Sequence, residues 1–161
     1  SAYSAAMNIA SPVAKLLLVA GCFAVWAADQ RMLPAGYCGW TAEQFEIREP
    51  LCGLQGDARR GKEIAVDTHL GNCIACHQLP IPEQEFHGTL GPPLRHVAAR
   101  YSEAQLRLRI VDQRQLNPAT VMPGFYADPR RANRVMDLYW DKTILSAQQV
   151  EDVVAYLRTL K

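Results

Sequence analysis

The sequence predicts an all-α fold with long connecting loops, and three observations carry that prediction. Ser102 and Ser146 each stand three residues ahead of a glutamine (Gln105, Gln149), the reciprocal capping pattern that opens a helix. Apolar residues fall at helical spacing around each: Leu106 and Ile110 in the first, and Ile144, Leu145, Val150, Val153, Val154, Leu157 and Leu160 in the second. No stretch alternates apolar and polar residues for long enough to read as a strand.

In chain order, the amino end comes first. Between Ser1 and Asp29 the only charge is Lys15, followed by the uncharged run LLLVAGCFAVWAA from Leu16 to Ala28. A membrane-spanning helix needs about 20 apolar residues. The run is too short for that and suits the apolar region of a secretory signal, with Met7 as a start and Val25-Trp26-Ala27 before a cleavage site. Val19-Ala20-Gly21-Cys22 also resembles a lipoprotein box that would acylate Cys22. A third reading is a retained apolar helix packed on the domain or on a partner. Export is the expectation; cleavage, lipidation and retention of residues 1–28 all stay open.

Residues 29–56 read as an irregular arm, punctuated by Leu33-Pro34, Cys38-Gly39, Pro50 and Cys52-Gly53. In an oxidising compartment Cys38 and Cys52 are expected to form a disulfide worth roughly 3 kcal/mol through the restricted unfolded chain. Free thiols, or a bond to another chain, are the alternatives. Residues 1–56 thus form an extension, and 57–161 the expected domain.

From Asp57 the run DARRGKEIAVDTHL places Gly61, Ile64, Ala65 and Thr68 on one side of a helix. A glycine inside a helix costs about 1 kcal/mol against alanine, and close approach by another element is the usual compensation. The last helix is the expected neighbour, with Tyr156 large enough to fill the space above Gly61. The middle helix starts at Ser102, and Asn117-Pro118 is expected to stop it.

Hydrophobic residues make up 49% of the 161 and charged residues 20%, enough to bury a real core. Seventeen basic against sixteen acidic side chains leave a net charge of +1, so no overall field draws in nucleic acid or an anionic membrane.

Residues 73–77 read Cys-Ile-Ala-Cys-His. Cys-x-x-Cys-His is the signature of covalent haem c attachment: two thiols at this spacing add across the two vinyl groups, and the histidine stands beneath the ring as an axial iron ligand. A thioredoxin-like redox pair would need a preceding strand, which the sequence lacks. A zinc site would need further ligands, and only His69, His87 and His96 remain. One haem, on Cys73, Cys76 and His77, is the reading; its two propionates would bring the net charge below zero.

The sixth iron position decides the chemistry, since an open site binds oxygen or peroxide and a closed one carries electrons. Met122 in NPATVMPGFY lies far along the chain, in a stretch too rich in proline and glycine for a helix, and is assigned as the second axial ligand. Core filling is the bland alternative for Met122. Met136, His87 and His96 are competing ligands, while Met7 and Met32 lie in the amino arm. A ligating histidine usually gives its other N–H to a fixed acceptor. The loop Leu90-Gly91-Pro92-Pro93-Leu94 offers the Pro92 backbone carbonyl for that role, or is an ordinary turn.

Taken in order, the Gly61 helix, Cys73–His77, the Gly91-Pro92-Pro93 loop, the Met122 loop and the last helix resemble a class I cytochrome c over residues 57–161. A narrower resemblance covers nearly the same range. GNCIACHQLP, EFHGTLGPPL, RYSEAQLRLRIVD, LNPATVMPGFY and ILSAQQVEDVVAYLRTLK are similar to the small monohaem subunits of SoxAX cytochrome complexes of bacterial thiosulfate oxidation. That resemblance implies a periplasmic heterodimer with a larger SoxA-type cytochrome subunit. The partner's cysteine would join thiosulfate to a cysteine of a SoxYZ-type carrier protein, an L-cysteine S-thiosulfotransferase reaction. This chain's haem would pass the electrons to a soluble cytochrome c. The family pattern makes Cys73 and Cys76 the attachment residues and His77 and Met122 the axial ligands. The apolar amino end and the Cys38/Cys52 pair are departures from that pattern.

Three functions share these residues. The first is the electron-transfer subunit just described, with no catalytic residue on this chain, because haem consumes Cys73 and Cys76. The second is an independent soluble monohaem carrier. The third is a small peroxidase or thiosulfate dehydrogenase, which needs an exchangeable sixth ligand. Finally, Arg95, Arg100, Arg107, Arg109 and Arg114, set against Glu103 and Asp112, form a basic cluster. It could dock an acidic partner, and a solvated helix face is the expectation.

Overall fold

The computed structural model describes residues 33–131 and 141–161. The apolar run with its candidate cleavage site, Cys22, Met7, Met32 and Met136 lie outside the described residues. No helix among the described residues is long and apolar enough to cross a membrane.

Among the described residues four α-helices carry the fold: α1 (Ala58–Val66), α2 (Val97–Arg100), α3 (Glu103–Asp112) and α4 (Ala147–Thr159). Among the described residues, β pairing is confined to one isolated bridge, Glu43 with Glu46. Both capping boxes form as the sequence predicts: Ser102 with Gln105 opens α3, and Ser146 with Gln149 opens α4. Leu145, just ahead of Ser146, is buried along with Val150, the two positions of a hydrophobic staple. The core gathers Ile64 and Ala65 of α1, Leu106, Leu108 and Val111 of α3, and the Val150–Leu157 face of α4.

α1 lies against α4, and Gly61 is the reason it can. A Cβ on Gly61 would overlap the backbone carbonyl of Asp152 and come within 2.8 Å of Tyr156 Cβ. Asp57 caps α1 by accepting from Arg60 N at 2.9 Å. α1 stops at Val66, because Asp67 turns extended and its N–H closes on Glu63 O; Thr68 is therefore exposed beyond the helix rather than part of its buried face. Asp152 of α4 holds the start of α1: it accepts from Asp57 N at 2.7 Å and from Arg60 Nε and Nη2, both at 2.9 Å. Burial alone would push its carboxyl up. The Arg60 guanidinium, the Asp57 N–H and the Gln148 amide outweigh that and hold it below the usual carboxylate range.

α3 ends at Asp112, well before Asn117-Pro118. The carbonyls of Ile110 and Val111, which a continuing helix would bond to its own next turn, instead accept from Phe125 N and Tyr126 N, both at 3.1 Å. The Asp112 side chain takes the Arg114 N–H and tightens the chain into a single 3₁₀ turn, Gln113–Gln115. The stop is a tertiary one.

The arm is irregular but built into the core through Ile47 and Leu51. Cys38 and Cys52 are joined in a disulfide, Cα to Cα 5.5 Å. In the basic cluster the expected solvated face fails at Arg107. Arg107 is only 1% exposed, and donates to Glu151 through Nε (2.8 Å) and Nη2 (3.0 Å), to Glu103 (2.7 Å), and to the carbonyls of Ile47 and Arg48 (2.9 and 3.2 Å). Leu51 N in turn donates to Glu151 Oε1 at 2.9 Å. Arg109 stacks its guanidinium 3.7 Å from the Tyr101 ring centroid, Arg100 donates to Pro93 O, and Arg114 pairs with Asp112. Arg107 alone is buried; Arg109 is half-buried, and Arg95, Arg100 and Arg114 are exposed, so the solvated face holds for those three.

Candidate functional site

Asn72, in the left-handed region at φ 44°, turns the chain out of the loop after α1 and into a 3₁₀ turn over Cys73–Ala75. Cys76 N and His77 N both donate to Cys73 O, at 3.2 and 2.9 Å, so the two thiols and the imidazole share one tight turn. Cys73 and Cys76 are free thiols, not a disulfide. Burial pushes the Cys73 thiol up to about 11, which keeps it a neutral S–H, unlike the activated thiolate of a redox enzyme. Tyr156 of α4 lies close by. Burial pushes its hydroxyl up to about 12, with Glu83 and Cys73 adding to the shift.

The loop after the turn folds back over it. Gly88 N donates to Ile74 O at 2.7 Å, and Gly91 N to Cys76 O at 2.8 Å. This brings the Pro92 carbonyl within 2.7 Å of His77 Nδ1. A carbonyl only accepts, so Nδ1 carries a proton, and in the neutral imidazole the lone pair is then on Nε2. A Cβ on Gly91 would run into the His77 ring, 2.7 Å from Nε2. The loop therefore fixes both the tautomer and the lie of the ring.

Two other candidate ligands, His87 and His96, lie among the described residues. Leu79 N donates to His87 Nδ1 at 3.1 Å, and His87 Nε2 donates to Gln84 O at 3.0 Å, so both its nitrogens are spent within the protein. His96 is exposed and precedes α2 in the left-handed region. No group of three or more His, Cys, Asp or Glu side chains that could hold a metal ion is found among the described residues. Met122 stands on a separate loop, partly buried and packed against the core, with its N–H on Thr120 Oγ1 at 3.2 Å.

Sequence reasoning missed Tyr126. Only 2% exposed, it receives Cys38 N on its hydroxyl at 2.7 Å and Trp40 Nε1 on its carbonyl at 3.2 Å, and stacks on Tyr37 with centroids 4.8 Å apart. The signal available was the pair of aromatics flanking Cys38, together with the aromatic exit of NPATVMPGFY.

Two unbridged thiols and an imidazole held in one tight turn fit covalent attachment of haem c. The comparisons with known proteins agree. Residues 58–161 match the cytochrome c family. The chain belongs to the cytochrome c family, and its cofactor is one covalently bound haem c. A solved structure, the crystal structure of SoxXA from P. pantotrophus, contains a chain 38% identical to this one, with a TM-score of 0.69. The match covers 76% of this chain and 94% of that one. This chain is accordingly a SoxX-type cytochrome c with the all-α fold of class I. No curated protein matches it.

Proposed function

We propose that this chain is the electron-accepting haem subunit of a periplasmic, SoxAX-type heterodimer that oxidatively conjugates thiosulfate to a cysteine of a SoxYZ-type carrier protein. The observation that carries this reading is the likeness to a SoxXA chain at 38% identity over 94% of that chain's length. In this proposal Cys73 and Cys76 would hold the haem through thioether bonds, and His77 Nε2 and Met122 Sδ would be the donors to its iron. The Pro92 carbonyl holds the His77 ring in the tautomer that leaves Nε2 free.

The bound haem supplies a one-electron couple. Thiosulfate and a carrier thiol give a thiosulfonate-capped cysteine, one proton and two electrons; the new bond is S–S and the bond broken is S–H. The two electrons of each bond would therefore reach this subunit in two turnovers, or be shared with another centre. The two free thiols among the described residues are the haem anchors, which leaves the bond-making cysteine to the larger partner. Transfer onward to a soluble cytochrome c completes the path.

The test is co-expression with a SoxA-type partner, purification at high salt, and mass measurement of each chain. A stable pair in which this chain carries one haem is expected, with thiosulfate plus carrier reducing that haem only when the partner is present. A solitary monomer that thiosulfate never reduces would make the chain an independent carrier instead. Recovery without haem would overturn the ligand assignment.

A further inference from the structure

The exit of the Met122 loop is held from two sides. On one side α3 and Leu145 receive it, through Phe125 N on Ile110 O, Tyr126 N on Val111 O and Leu145 N on Phe125 O. On the other, residues 37–40 of the arm lie across Tyr126. Tyr37 stacks on its ring, Cys38 N bonds its hydroxyl, and Trp40 Nε1 bonds its carbonyl. This strap is itself fastened by the disulfide from Cys38 to Cys52. Leu51, next to Cys52, is buried, and its N–H bonds Glu151 of α4. A covalent path thus runs from the anchored end of the arm to a clamp on the tyrosine that follows Met122-Pro123-Gly124-Phe125.

We infer that the disulfide-closed strap Tyr37–Trp40 is a positioning device for the methionine loop, and that Tyr126 and the Cys38–Cys52 bond together set how firmly Met122 closes the sixth position of the iron. The inference rests on the proposed role of Met122. The physical ground is simple. A sulfur donor on a loop leaves its site when the loop moves, and Tyr126 is one of the residues that hold the loop's exit in place. Release breaks two hydrogen bonds and a ring stack, and the disulfide limits how far the strap can swing away. An oxidising compartment maintains that bond. With the strap loosened, small ligands reach the iron more readily, and a closed electron relay becomes a partly open site.

The experiment uses the ferric holoprotein, so variants replace reductants, which would also reduce the iron. Three things are read: the long-wavelength absorption band that marks methionine sulfur on ferric haem iron, the affinity for added imidazole, and the denaturant midpoint. The wild type should show the band, and Met122→Ala should lose it. Cys38→Ser combined with Cys52→Ser, and separately Tyr126→Phe, should weaken the band and raise imidazole affinity at least about fivefold, the scale of one lost buried hydrogen bond. Val150→Ala serves as a control that lowers the denaturant midpoint from the core without touching the strap, and its imidazole affinity should match wild type. Should the double serine variant fail to fold, Tyr126→Phe alone decides. If the strap variants bind imidazole like wild type, or only as much tighter as Val150→Ala does, the positioning role is overturned while the Met122 assignment stands. If Met122→Ala keeps the band, the assignment itself fails, and the inference with it.

Discussion

Gly91 governs how the His77 ring can lie. Any side chain there meets the imidazole, and the ring has nowhere to swing, because Nδ1 is tied to Pro92 O at 2.7 Å. Gly91→Ala is therefore expected to destabilise the holoprotein by about 1–3 kcal/mol, the usual cost of overfilling a packed site. It should also weaken the Nδ1–Pro92 hydrogen bond, visible as a shifted His77 Nδ1–H resonance in NMR spectra of the reduced protein. A wild-type midpoint with an unshifted resonance would mean the ring is freer than its contacts imply. Much of this site is legible in sequence because it is short-range: the cysteines and histidine form one contiguous motif, and the Gly-Pro-Pro loop follows closely. Tyr126 escaped notice because its meaning depends on Tyr37 and Trp40, and nothing local to NPATVMPGFY signals an arm arriving from the other end of the chain.

Between elements, the α1–α4 contact is decided at Gly61. Alanine at that position would gain about 1 kcal/mol of helix propensity. Its methyl, however, would collide with the Asp152 carbonyl, which is backbone and cannot step aside as a side-chain tip could. The steric term wins. Gly61→Ala is expected to lower stability by about 1–2 kcal/mol net, and Gly61→Val by more, as measured by denaturant unfolding of the holoprotein. An alanine variant as stable as wild type would show that the helices can separate cheaply. Helix starts were readable because Ser102–Gln105 and Ser146–Gln149 are signals carried within four residues. The end of α3 was not. Asn117-Pro118 marks where a helix must stop, but Phe125 and Tyr126 capture the Ile110 and Val111 carbonyls earlier, and only the folded chain brings them there.

For the whole molecule, the Arg107–Glu151 pair ties α3, α4 and the arm into one body. By composition, Arg107 is one more charge in a basic run. Its partner Glu151 lies in another helix, and its carbonyl acceptors at Ile47 and Arg48 lie in the arm, so its burial has no local signature. The pair is fully enclosed, with Arg107 1% and Glu151 3% exposed. Its energetics follow from desolvation. Two buried charges that satisfy each other roughly cancel their cost of leaving water, whereas one left alone does not. Arg107→Met strands the Glu151 carboxylate while removing the donor that holds the Ile47 and Arg48 carbonyls. Glu151→Leu leaves the buried guanidinium only the solvent-exposed Glu103 as a counter-charge and frees Leu51 N. Each single change is expected to cost about 3–5 kcal/mol, and the double variant markedly less than their sum, because no uncompensated charge remains. Denaturant midpoints and slopes of the four holoproteins close this cycle, and additive losses would show that the two side chains act independently. The slope adds a second readout. If the arm detaches when the pair is broken, the folded state buries less surface and the slope falls with it. Because the strap over Tyr126 hangs from this same arm, imidazole affinity should rise in the single variants more than in the double.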